Sequence, residues 1–210
     1  MSNRYQVEGS QAAWQPGSNE QVLLNKLDIN DPAEMDEAEL ILLEQLYDDV
    51  LLDDFPGRQL AVGDLKNWHR RWLGNVYDWA GAERSVNMSK PGIHFAVAAQ
   101  IPRLLSIFES DCLQRFTPCH DLDEDGLIDA IAISHVEFIL VHPFREGNGR
   151  LSRLLADVMA VQAGREPLDY SSWDADKAEY FGAIQLGLAG NYEPMKSLVK
   201  QALAGQAGKS

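Results

Sequence analysis

Residues 142–153, HPFREGNGRLSR, bring a histidine, a carboxylate, a Gly-Asn-Gly triplet and three arginines into one short run. These residue types suit phosphate chemistry. Glycines at 147 and 149 tolerate positive φ, so successive backbone N–H groups around Gly147, Asn148 and Gly149 can converge into an anion-binding nest. A helix is predicted to start at or near Gly149, because Leu151, Leu154, Leu155, Val158 and Met159 keep three-and-four spacing and Gly164 with Pro167 gives a stop. A nest that opens a helix presents N–H donors and the positive end of the dipole to a phosphate. Arg150 and Arg153 lie three apart on its first turns, where guanidinium forks can grip phosphate oxygens in bidentate fashion. Glu146 is the Mg²⁺ candidate, since one carboxylate beside several phosphates is the usual protein share of such a site. His142, followed by Pro143, reads as a neutral general base for an attacking hydroxyl, a role typically contributing about 10²–10⁴-fold. Taken singly, a turn, a solvated charge and an Arg153–Asp157 pair four residues apart would explain these features. Their joint occurrence points to a nucleotide.

The order His-Pro-Phe-x-Glu-Gly-Asn-Gly-Arg-x-x-Arg resembles the complete signature of the Fic family, filamentation-induced-by-cAMP proteins. The resemblance implies an all-α fold, a Fic-type helical bundle with a short β-hairpin flap over the active site. It implies a protein adenylyltransferase that moves AMP from Mg-ATP to a Ser, Thr or Tyr hydroxyl of a target protein. By position, His142 matches the family's base, Phe144 its buried anchor and Glu146 its Mg²⁺ ligand. Gly147, Asn148 and Gly149 match its phosphate cradle, with the Asn148 side chain orienting the α-phosphate. Arg150 and Arg153 match the arginines on the β- and γ-phosphates. No signature position is substituted, which argues against the death-on-curing branch. Trp79-Ala80-Gly81 is similar to the element that precedes the flap, so Lys90, Ile93 and His94 become candidate target-docking residues, with ordinary solvated loop positions as the other reading. The phrase GNYEPMKSL resembles a compact bacterial branch called mobile mystery protein B.

Many members carry an inhibitory helix of Ser or Thr, three residues, Glu, then Gly or Asn, whose Glu pairs with the last signature arginine, here Arg153. The two Glu-Gly pairs, Glu8-Gly9 and Glu146-Gly147, have Arg4 and His142 four residues before them. No standard internal inhibitor is therefore expected, and a separate small antitoxin-like polypeptide takes its place. Glu34, Glu37, Glu39 and Glu44 read as a solvated helix face, a divergent internal inhibitor being the other reading. Other donors, giving UMP, GMP or phosphocholine transfer, stay open because nests recognise phosphates without reading the base. So does a non-catalytic nucleotide-binding interaction module.

The chain has 210 residues, 45% hydrophobic and 24% charged, enough for one globular unit that buries roughly 70% of its unfolded surface. Net charge is −14, which disfavours nucleic acid as a partner and leaves Arg145, Arg150 and Arg153 as a local positive exception. No apolar run reaches the roughly 18 residues of a membrane span and no secretory signal opens the chain, so a cytoplasmic protein is expected. Cys112 and Cys119 are expected to be reduced and structural.

The elements that must position the signature follow from periodicity. Residues 1–32, rich in Gly, Ser, Asn, Gln and Pro, read as an arm, and 1–59 as an arm and helix packing on a 60–204 catalytic unit, with 205–210 a frayed tail. A helix over 32–52 carries Met35, Ala38, Leu42, Leu46 and Val50, with Asp31 as N-cap. A second over 62–77 buries Leu65, Trp68, Trp72 and Leu73, the indoles as core. Residues 80–96 break the pattern as a hairpin. Helices follow over 99–116, over 125–141 with His135 as a hydrogen-bonded core residue, over 174–189 with Tyr180 packed inward, and from Pro194 to the tail.

Overall fold

The computed structural model of the protein describes residues 10–90 and 93–205, with the side chains of 10, 90, 93 and 94 excluded. The first helix, α1 (Pro32–Asp48), starts where Asp31 accepts hydrogen bonds from the N–H groups of Ala33 and Glu34, both at 3.0 Å. It runs on into one π-helical turn, Asp49–Asp53, so the 32–52 expectation holds in extent. Its inward stripe differs from the expected one. Met35, Glu39, Leu43 and Leu46 are buried, and Glu39 occupies the place an apolar residue would take. Helix α2 (Val62–Leu73) buries Leu65, Trp68, His69, Trp72 and Leu73.

Strands β1 (Ser89–Lys90) and β2 (Ile93–His94) pair antiparallel, Ser89 opposite His94 and Lys90 opposite Ile93. The predicted 99–116 helix is in fact α3 (Ile101–Phe108), a π-helical turn Glu109–Leu113, and α4 (Gln114–Phe116). Helix α5 (Glu124–Val141) is buried on nearly every face and packs against α3, α6 (Asn148–Gln162), α8 (Lys177–Gly187) and α9 (Glu193–Ala204). A helix enclosed this way is apolar all round, which explains Leu127, Ile131, Val136 and Phe138 together. The predicted 174–189 helix splits at Asp176, whose carboxylate caps α8 by accepting from the Glu179 N–H at 2.9 Å; a short α7 (Ser171–Ala175) precedes it.

The segment before α1 is more ordered than an arm. Asn25 accepts at Oδ1 from the N–H groups of Leu27 and Ile29, both at 3.1 Å, and donates from Nδ2 to Leu23 and Ile29 carbonyls. Trp14 and Leu23 form an isolated bridge, and Val22 and Leu23 join the core. Side-chain turns of this kind leave no periodic trace in a sequence. Residues 1–9, including the Glu8-Gly9 pair, and the tail 206–210 lie outside the described residues. Both cysteines are free and buried, their thiols pushed up to about 12 by burial. Among the described residues no helix is long and apolar enough to cross a membrane.

Candidate active site

Helix α5 ends by turning its C-cap residue, His142, into left-handed backbone, φ 49° and ψ 60°. For a side chain with a Cβ that conformation costs roughly 1–2 kcal/mol and persists only where the surroundings enforce it. Arg84 supplies the enforcement. Its guanidinium, 2% exposed, donates to the carbonyls of His142 at 2.6 Å, Val86 at 2.6 Å, Ala96 at 2.5 Å and Val141 at 3.4 Å. Among the described residues its hydrogen bonds all go to main-chain oxygens, and its own N–H donates to Pro143 O at 2.8 Å. One side chain therefore ties the end of α5 to both legs of the hairpin.

The imidazole is oriented twice. Nδ1 lies 3.2 Å from the Ile139 carbonyl, an acceptor that assigns a proton to Nδ1. The Phe95 ring stacks on the imidazole, centroids 3.6 Å apart and planes at 12°. A histidine held in one tautomer and one ring plane is suited to accept a proton at Nε2.

The loop after it is built around Gly147 at φ 80°. A Cβ there would also meet the Trp72 ring at 2.6 Å, so backbone angle and packing both require glycine. Asn148 opens α6, but its side chain folds back on Phe144, accepting from the N–H at 2.9 Å and donating to the carbonyl at 2.8 Å. It is 3% exposed, with its carbonyl oxygen and one amide N–H used in closing the loop. Gly149 is the opposite case, since an added Cβ would meet nothing within 4 Å. Phe144, 1% exposed, is the buried anchor and stacks on His69 at 4.0 Å. His69 accepts at Nδ1 from the Gly81 N–H at 2.8 Å and so donates from Nε2 to the Glu146 carbonyl at 3.1 Å. Burial holds its pKa down to about 4, keeping it neutral as that bonding requires.

Both signature arginines meet carboxylates. Arg150 lies over the Trp72 ring, 4.6 Å to the centroid, and donates from Nη2 to Glu39 Oε2 at 2.6 Å and to Glu146 Oε1 at 3.4 Å. Arg153 forms a two-pronged pair with Asp174, at 2.6 and 3.1 Å, with its guanidinium over Tyr170. The expected alternative partner, Asp157, is engaged elsewhere. It accepts from the Tyr47 and Tyr170 hydroxyls and the Leu168 N–H, and burial pushes its pKa up to about 6.

His142, Glu146, Gly147, Gly149, Arg150 and Arg153 line one cavity of about 390 Å³. Phe95, Ile139, Lys177, Tyr180 and Phe181 complete its lining. The volume lies in the usual range for a small-molecule pocket. Tyr180 borders the cavity while its hydroxyl meets His135 Nε2 at 2.8 Å. His135, 1% exposed with its pKa driven down to about 3 by burial, is the core histidine the spacing predicted. Among the described residues no group of three or more His, Cys, Asp or Glu side chains can hold a metal ion, so a divalent cation here would have to take most of its ligands from substrate and water. Glu146, with its carboxylate 44% exposed, fits that single-carboxylate share. The side chains of Lys90, Ile93 and His94 lie outside the described residues.

The sequence left Arg84, His69, Phe95 and Asp174 unmarked, and Glu39, expected on a solvated helix face, is instead buried against Arg150. Only Glu39 left a signal, because it stands four residues from both Met35 and Leu43 on the buried stripe. The others are recognised only through contacts distant in sequence.

Comparison with known proteins places this geometry. Residues 59–160 match the Fic/DOC family. A probable protein adenylyltransferase y4lH of Sinorhizobium fredii is 25% identical over 89% of this chain and 92% of its own length. The protein adenylyltransferase VbhT of Bartonella schoenbuchensis is 27% identical over 87% of this chain, which spans 37% of that longer protein. Among solved structures, the Bartonella tribocorum effector BepC with bound AMPPNP superposes with TM-score 0.75 at 23% identity, covering 92% of this chain and 96% of that one. The N-terminal Fic domain of an effector from Bartonella sp. AR 15-3 superposes with TM-score 0.79 at 21% identity, covering 100% and 98%. At these identities the superpositions establish the fold.

Proposed function

From the premise that the chain carries a Fic/DOC-family domain over residues 59–160, we propose that it is a protein adenylyltransferase, joining AMP from ATP to a hydroxyl side chain of a target protein. The observation that carries this reading is the gathering of His142, Glu146, Gly149, Arg150 and Arg153 around one cavity. Relatives named protein adenylyltransferases and a neighbour that binds AMPPNP support it.

The triphosphate enters at the N-terminus of α6, where the main-chain N–H groups of the first turn and the helix dipole favour negative charge. Arg150 and Arg153 hold the β- and γ-phosphates. Their charge-assisted bonds neutralise the departing pyrophosphate, and positioning of this kind dominates phosphoryl-type transfer. His142 Nε2 takes the proton of a target Ser, Thr or Tyr hydroxyl as its oxygen attacks the α-phosphorus. The new P–O bond forms, the bond from the α-phosphorus to the bridging oxygen breaks, and pyrophosphate leaves. Glu146 is the residue that would hold Mg²⁺, which supplies further neutralisation of phosphate charge when bound.

The paired strands β1 and β2 act as a flap whose main chain registers an extended target segment, with Lys90, Ile93 and His94 at the contact. Arg84 then fixes the distance between that edge and His142. Restraint is supplied by a separate small antitoxin-like polypeptide.

The test uses purified protein, cell extract and ATP labelled at the α- or γ-phosphate. Label from the α position alone should appear on protein, and His142→Ala should abolish it while nucleotide still binds. Transfer undiminished in that variant would remove the base assignment, and mass spectrometry of the product would reveal a UMP, GMP or phosphocholine adduct instead. Nucleotide binding without transfer to any extract protein would mark a non-catalytic module.

A further inference from the structure

Arg150 faces two spaces. It lines the 390 Å³ cavity, and with Glu146 it also lines a second, neighbouring pocket of about 160 Å³, shared with Met35, Asp36, Glu39 and Tyr77. Glu39 belongs to the second pocket and not to the first. A carboxylate on a phosphate-binding arginine would ordinarily be read as a competitor for the anion. Here the two would approach the guanidinium from different sides.

Every polar part of Glu39 is engaged. Oε2 accepts from Arg150 at 2.6 Å, Oε1 accepts from the Tyr77 hydroxyl at 2.7 Å, and the main-chain carbonyl accepts from the Trp72 indole N–H at 2.9 Å. The residue is 3% exposed in the middle of α1, which packs on α2. Withdrawing this carboxylate would strand a buried charge and break a helix contact, so it is not built to swing away. All the bonds to Arg150 among the described residues fall on Nη2, which leaves Nε and Nη1 unspent by protein partners. Trp72 beneath the guanidinium fixes its plane.

Asp174 on Arg153 is different in each respect. It is 56% exposed, it sits on a five-residue helix, and it occupies both terminal nitrogens of the arginine.

We propose that Glu39 is a positioning residue for nucleotide binding, holding Arg150 from behind so that its remaining donors face the triphosphate, and that α1 is thereby part of the catalytic unit. The proposal rests on the adenylyltransferase reading for the identity of the ligand. Phosphate affinity then depends on a side chain more than a hundred positions away in sequence, because the short bond to Glu39 on Nη2 and the aromatic face of Trp72 hold the guanidinium in one orientation.

Titration calorimetry with Mg-ATP on the full chain tests it. Glu39→Gln keeps an acceptor for Tyr77 but removes the charge, and should weaken binding about ten-fold, the size of one charge-assisted hydrogen bond. In an Arg150→Ala background the same change should matter less than about two-fold, because Glu39 acts only through that arginine. A merely structural role would weaken binding equally in both backgrounds and overturn the proposal. Tighter binding by Glu39→Gln would overturn it too, making Glu39 a competitor. Thermal melts identify a variant that has lost its fold, in which case Glu39→Asp, which retains the charge, must bind more tightly than Glu39→Gln at equal melting temperature or the proposal fails. Wild-type protein that binds no nucleotide would instead refute the adenylyltransferase reading itself.

Discussion

The ring of Phe95 and the imidazole of His142 lie face to face at 3.6 Å. Phe95 directly follows β2, and the next residue donates its N–H to the Leu140 carbonyl at 3.1 Å, so the returning leg of the hairpin is bonded to the end of α5. A shift of the hairpin is thereby coupled to the ring plane of His142.

Phe95→Leu retains apolar volume but removes the flat face. We expect the rate of transfer to fall about ten-fold with Mg-ATP affinity changed less than about two-fold, because misoriented reacting groups cost rate and not ground-state binding. Separate measurement of kcat and of nucleotide Kd checks this. Equal losses in both would show that Phe95 supports the cavity as a whole.

Asp174→Asn should act in the opposite direction to Glu39→Gln. Its carboxylate occupies the same guanidinium nitrogens that a phosphate needs, and an exposed pair of this kind adds little stability, under about 1 kcal/mol. Mg-ATP should bind several-fold tighter with the melting temperature almost unchanged. Weaker binding would mean that Asp174 orients Arg153 rather than occupying it.

What the sequence made legible was mostly governed by local spacing, although Glu39 and Leu43 rather than Ala38 and Leu42 complete the buried stripe of α1. The helix positions, the Asp31 cap, the cores around Trp68 and Trp72, and the buried state of His135 all follow from periodicity and capping chemistry. The signature run also identified the residues that share the cavity, apart from Asn148, whose side chain turns inward. Long-range partners were not legible. Glu39 meets Arg150 across 111 positions and Arg84 meets His142 across 58, and no spacing rule links such pairs. Breaks inside helices escaped for a different reason. The π-helical turns at Asp49–Asp53 and Glu109–Leu113 insert an extra residue without interrupting the apolar pattern.

The pH dependence of stability should have two opposed parts. His69 and His135 are held down to about 4 and about 3 by burial, so their contribution is complete above the ordinary histidine pKa of about 6.5 and drains as pH falls. At pH 5 each would cost roughly 2 kcal/mol relative to pH 7.5. Asp157, pushed up to about 6, runs the other way, its share being fullest below the ordinary carboxylate range and lost as pH rises through 6. Urea denaturation should therefore show wild-type protein weaker at pH 5 than at pH 7.5. Asp157→Asn should make that loss larger, because the opposing contribution is gone. An identical loss in the variant would place Asp157 in the ordinary carboxylate range.

The two glycines of the loop, two residues apart, should fail in separable ways. Gly147→Ala puts a Cβ at positive φ and within 2.6 Å of the Trp72 ring, so the turn that carries Glu146 has to move, and the loss appears as instability of several kcal/mol as well as inactivity. Gly149→Ala meets no protein atom within 4 Å and lies in the first turn of α6, where alanine is the better helix former by up to about 1 kcal/mol. It should melt at the same temperature as wild type or slightly higher. Yet Gly149 lines the cavity proposed for the triphosphate, so with an added methyl group there Mg-ATP binding should drop at least ten-fold, a penalty in keeping with backbone donors that need close approach. A stable Gly149→Ala protein with undiminished nucleotide affinity would move the phosphates away from the N-terminus of α6, and with them the roles assigned to Arg150 and Arg153.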